Sequence, residues 1–204
     1  MKYFRNTVLM IYLIAILIVL SSGGCGVMSN LEKDHTFVKG NNYSILVIGI
    51  EPRYRVHVST GCDKGEKWKW VGEWGAAANV YPEDGYVVIK LKPRYGMENY
   101  GIQSIMPKGM SGVFAGHHYK ACNGKLVPVF ELPPDQVVYV GNIKYACKNK
   151  KLMFKVGQDF AAAKEFIKKN YPNLSKDLTQ GKITLKEMMG VPCKQATVPI
   201  VIVM

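Results

Sequence analysis

Three tryptophans fall close together at Trp68, Trp70 and Trp74, in the stretch GCDKGEKWKWVGEW. Gly61, Gly65, Gly72 and Gly75 flank them, Asp63, Glu66 and Glu73 are interleaved, and Asp84 follows. An indole on an exposed loop stacks on sugar rings or settles at a membrane interface, while an indole in a core is bulk apolar filling. If KWKW is extended, Trp68 and Trp70 share one face and Lys67 and Lys69 the other. A half-buried plug at one end of the fold is the favoured reading. The same stretch is nevertheless the first candidate for a binding loop, because loops on a rigid scaffold usually carry function. Glycoside cleavage would need two of the carboxylates about 5–10 Å apart. Nothing in their spacing requires that.

His117 and His118 suggest a metal, with His57 as a further ligand from another strand. Neighbouring side chains on a strand point to opposite faces, and a complete site needs three or four converging ligands. Surface histidines are therefore expected, and no metal or other cofactor is assigned. The sequence contains no GxSxG, no HExxH and no glycine-rich phosphate loop, so no catalytic residue is assigned either.

Cysteine chemistry is more informative. Cys25 stands apart, and Cys62, Cys122, Cys147 and Cys193 form an even set. In an oxidising compartment four cysteines suggest two disulfides with three pairings open. Cys122–Cys147 with Cys62–Cys193 is preferred, because the first two flank a short run of strands. No CxxC pair supports zinc.

The compartment is argued from the first residues. Lys2 and Arg5 precede VLMIYLIAILIVL, and SSGGC follows. A basic start, an apolar run and small residues before a cut match a secretory signal. Thirteen apolar residues make about 20 Å of helix, short of a bilayer core of ~30 Å. Gly24-Cys25 is similar to the bacterial lipobox, although Ser22 departs from its usual leucine. The lipobox resemblance implies diacylglycerol on the Cys25 sulfur, cleavage before Cys25 and often acylation of the new amine, with fatty chains such as palmitate. A single-pass signal anchor is the rival, since residues 6 to 31 carry no charge.

Removing residues 1–24 takes Lys2 and Arg5 away and lowers the net charge from +12 to +10. Most of the excess lies between residues 144 and 194, where twelve lysines face four acidic residues. Such a face solubilises, and it also attracts anionic lipid or an acidic cell-wall polymer. Nucleic acid is not an expected partner of an exported chain.

The elements that must position these groups are mostly strands. YSILVIGI (43–50) is a continuous apolar run, suited to a strand buried on both faces. YRVHVST, GYVVIKLKP, YGIQSIM, KLVPVFEL, QVVYVGNIKYAC and LMFKV follow at short intervals with turn residues between them. This spacing predicts a mainly β, antiparallel sandwich of the immunoglobulin or prealbumin kind. QDFAAAKEFIKKNYP predicts a helix capped by Asp159 and ended by Pro172, with Phe160, Ala163, Ile167 and Tyr171 on its apolar face. A second short helix is expected over TLKEMMG (184–190), and TVPIVIVM suits a last strand. The expected division is a signal over 1–24, a lipidated tether over 25–42, the sandwich over 43–156 and a helical extension over 157–204.

Within residues 126–174, VPVFELPPDQVVYVGNI, a lysine-rich strand and FAAAKEFIKKNYPNL resemble bacterial envelope lipoproteins of unknown function. These carry a prealbumin-like or carboxypeptidase-regulatory-like sandwich. The resemblance rests on Pro133-Pro134, Tyr139-Val140-Gly141 and Tyr171-Pro172. It implies the sandwich and implies no activity. The expectation is thus a membrane-tethered envelope lipoprotein that works as a binding or scaffolding module. Its partners would be membrane lipid through acylated Cys25 and anionic lipid, wall polymer or another envelope protein. An envelope hydrolase acting on glycan or lipid, and a structural subunit of an envelope or secretion complex, are the alternatives.

Overall fold

The run of apolar residues from Tyr43 becomes the centre of one of two β-sheets. The computed structural model describes residues 29–71, 76–92, 99–106, 119–148, 151–193 and 200–202. In the first sheet β1 (Ser44–Glu51) lies between β5 (Tyr86–Leu91) and the long β9 (Val137–Lys148). β10 (Lys151–Gly157) and β13 (Ile200–Ile202) continue beyond β9, and β11 (Leu178–Gln180) pairs with the start of β9. β1 has no exposed residue before Glu51. It is apolar on both faces because both are covered.

The second sheet contains β2 (Arg55–Lys64), β3 (Lys67–Trp70), β4 (Ala76–Val80), β6 (Asn99–Met106), β7 (Tyr119–Lys120), β8 (Leu126–Glu131) and β12 (Ile183–Met189). Its pairings close on themselves. β2 pairs with β3, β3 with β12, β12 with β8, β8 with β6, and β6 with β2 again. Register shifts beside Val58 mark where β2 bends. Its first half then pairs with β4 and β6 and its second half with β3. A bulge at such a corner gives the turn that ring closure needs. Closure leaves the five strands fewer free edges.

The main core lies between the sheets. Leu46, Ile48, Val87, Ile89, Val138 and Leu152 from the first sheet meet Val56, Val58, Ile102, Ile105 and Phe130 from the second. The outer face of the first sheet is covered by α1 (Phe160–Asn170), the single α-helix among the described residues. Asp159 accepts a hydrogen bond from the Ala162 N–H (3.0 Å) and so caps it. Ala163, Ile167 and Tyr171 pack on Ile45, Val47, Val88, Val137 and Tyr139. The architecture is a mainly β, two-sheet sandwich with a helix on its flank, as the sequence spacing predicts.

Four details correct the expectations. The pairing is mixed: β1–β9, β9–β11, β10–β13 and β3–β12 are parallel. TLKEMMG is strand β12, because pairing with β8 and β3 on its two sides outweighs the helix preference of Leu, Lys, Glu and Met. Residues after 157 supply β11 to one sheet and β12 to the other, so they are no separate extension. The segment from Asn30 is pinned to the body at Asn30, Leu31 and Phe37 and is not a free tether, while most of residues 32–42 stay exposed. Asn30 donates to the Tyr81 carbonyl (2.8 Å) and accepts from the Val88 N–H (2.7 Å), and Phe37 is buried beside Tyr43. Among the described residues no helix is long and apolar enough to cross a membrane.

Candidate functional site

Alternation along KWKW places Trp68 and Trp70 on one side of β3 and leaves Lys67 and Lys69 exposed on the other. Because the ring is closed, the tryptophan side is its inside. Trp68 is completely buried among Val127, Val129 and Met188, against Ala121, Cys122 and Val191. Gly61 on β2 and Gly101 on β6 lie against its ring. A Cβ at Gly61 would stand 2.3 Å from the indole, and one at Gly101 would stand 3.0 Å away. Trp68 is therefore the plug of the ring and is not offered to a ligand. Trp70 is half-buried, with the Lys120 ammonium 4.8 Å from its ring centroid. Trp74 lies outside the described residues.

The mouth of the ring is fastened by a disulfide between Cys122 and Cys193, whose Cα atoms are 5.0 Å apart. The Asn123 N–H donates to the Val191 carbonyl (2.8 Å), and Asn123 Oδ1 accepts from the Val191 N–H (2.9 Å). The expected pairing is corrected accordingly. The backbone of Cys147 lies in the first sheet opposite Leu152, whereas Cys122 leads into β8 of the second sheet. Cys62 lies opposite Lys69 on β2, and the partner expected for it, Cys193, is bonded to Cys122.

Among the described carboxylates near the tryptophans, Asp63 and Asp84 are held elsewhere. Asp63 accepts a hydrogen bond from Lys186 (2.5 Å), which also donates to the Gly65 carbonyl (2.8 Å). Asp84 sits in the β4–β5 turn, and Glu73 lies outside the described residues. His57 is half-buried opposite Ser104 and Asn79 on β2, and His117 and His118 lie outside the described residues. No group of three or more potential metal ligands occurs among the described residues. Four phenols are also held away from general-base work. Burial raises Tyr86 and Tyr139, and burial with the charges of Glu83 and Asp84 pushes Tyr171 up to about 12. Burial raises Tyr145 further still. All four stay neutral near pH 7, so none serves as a general base there.

Two concavities of several hundred Å³ lie among the described residues. One, of about 420 Å³, opens where the chain crosses from β11 to β12, and is lined by Asn99, Glu131, Gln136, Lys182 and the paired Asp63 and Lys186. The other, of about 580 Å³, is a groove over the part of the first sheet beside Gly49, Asn142 and Gly157, walled by Tyr86 and edged by Lys144 and Lys155. Gly157 leaves open space over one part of its floor, while the Asn142 side chain covers Gly49 so closely that a Cβ there would overlap it. The sequence carries two signals of this groove, neither sufficient alone. One is glycine inside strands. The other is the run from Lys144 to Lys155, with five lysines and no acidic residue. Comparison with protein-family models, with curated proteins and with solved structures finds no significant match to this chain.

Proposed function

We propose that this chain is an exported, membrane-held binding module of a bacterial cell envelope, cut before Cys25 and lipidated there. The Cys122–Cys193 disulfide carries the reading, because such bonds persist mainly outside the reducing cytosol. The basic and apolar leader ending in SSGGC supports export independently. The resemblance of residues 126–174 to envelope lipoproteins agrees with both. A binding role fits a rigid two-sheet body whose acidic side chains are scattered or ion-paired. It also fits the surplus of lysine along residues 144–194.

Intact mass spectrometry of protein extracted from membranes tests this reading. The expected mass lacks residues 1–24, carries acyl chains on Cys25 and is lighter by the hydrogens of one disulfide. A full-length, unacylated mass in the membrane fraction would establish the signal anchor instead. A fully reduced, full-length chain in the cytosol would end the proposal.

A further inference from the structure

The lysine-edged groove has a position as well as a charge. Lys144 and Lys155 are direct cross-strand partners on β9 and β10, and Lys148 and Lys151 are partners at the end of the same ladder. Like charges placed directly opposite each other destabilise a strand pair. Glu51 answers Lys144 at 3.1 Å, while among the described residues Lys155 enters no ion pair. Arg53 follows in the turn after β1 and is exposed. Glu83 and Asp84 belong to the β4–β5 turn next to Gly85 at the other end of the groove, so the positive charge is concentrated on the β9–β10 side.

The chain joins the domain beside this groove. The Leu31 N–H donates to the Val88 carbonyl (2.8 Å), and Val88 is two residues along β5 from Tyr86 on the groove wall. Two strand residues span about 7 Å. The five residues from Cys25 to Ser29 reach at most about 18 Å when fully extended. A lipidated Cys25 would therefore keep this part of the first sheet near the headgroups. Surface attraction there acts over a Debye length of about 8–10 Å.

We propose that this groove is where the domain docks onto the anionic phospholipid headgroups of the membrane that holds it. The inference rests on the membrane-held reading above, and its test separates the two. The full chain is extracted from membranes and reconstituted into two kinds of vesicle, one of phosphatidylcholine and one containing about a third phosphatidylglycerol. Flotation reports anchoring. Acetylation rates of Lys144 and Lys155, relative to Lys69 on the other sheet, report docking.

Docking predicts flotation with both vesicles and roughly tenfold slower acetylation of the two lysines on the anionic one. Salt near 0.5 M should restore the rates. In K155Q, Lys144 should regain most of its reactivity while the disulfide and thermal transition stay intact. Flotation with equal rates on both vesicles would overturn docking and leave anchoring standing. Failure to float on either would overturn both. Slowing by soluble polyphosphate but not by anionic vesicles would assign the groove to an acidic polymer and overturn the lipid.

Discussion

Gly61 and Gly101 make the room that Trp68 occupies. With any larger residue at 61, the indole could not stay where it is, since even a methyl group would stand 2.3 Å from it. The residue is thus held by absence of side chain on two strands and by valine and methionine on two others. Replacing a fully buried aromatic by alanine costs about 3–5 kcal/mol. Trp68→Ala is expected to lower unfolding stability by that amount in a urea titration. Trp70→Ala, half-buried beside Lys120, is expected to cost about a third as much. Equal and small losses would return Trp68 to the surface and reopen the loop as a binding site. KWKW alternation makes the shared face of the two indoles legible in sequence. The glycines under the ring are not legible, because Gly101 reaches Trp68 only through ring closure.

The element that completes the ring is β12, and here sequence and structure part. Leu185, Lys186, Glu187 and Met188 favour a helix one residue at a time. In the fold Leu185, Lys186 and Glu187 pair with β8, and Glu187 and Met188 pair with β3. No local pattern records that vacancy, which exists only once β3 and β8 are in place. The helix α1 shows the opposite case. Its cap, its apolar face and its proline stop are all within fifteen residues, so the sequence predicts it almost to its ends. Disulfide pairing belongs with β12. Cys193 follows β12 closely, so placing that strand in the ring carries it to Cys122, across a separation of 71 residues. Closing a loop of that length stabilises by about 4 kcal/mol in the chain-entropy account. Cys193→Ser should therefore lower stability by about 2–4 kcal/mol and make it insensitive to reductant, while Cys62→Ser should do neither. If reductant leaves the wild-type unfolding midpoint unchanged, the clamp is not formed in solution.

At the scale of the molecule, three apolar layers depend on one another, and the segment before β1 ties the outermost together. The first sheet ends at β5, whose outer edge would otherwise offer unpaired N–H and C=O groups. Asn30 and Leu31 occupy part of that edge at Val88, Phe37 meets Tyr43 edge-on at 5.6 Å, and the Asp34 carbonyl accepts from Asn173 Nδ2 (2.8 Å) just after α1. A segment read from composition as a tether is thus a strap across sheet and helix. Its polarity misled because asparagine here serves as a bridge between strands rather than as a solvated link. Asn30→Ala leaves two backbone groups without partners and should cost about 1–3 kcal/mol. Phe37→Ala, less completely enclosed than Trp68, should cost roughly 2–4 kcal/mol. A free tether would give changes within about 0.5 kcal/mol for both. Unfolding of the detergent-extracted full chain in urea distinguishes the outcomes. A loss in both variants would also fix where the body begins, and so how closely a lipid on Cys25 would hold the first sheet to its membrane.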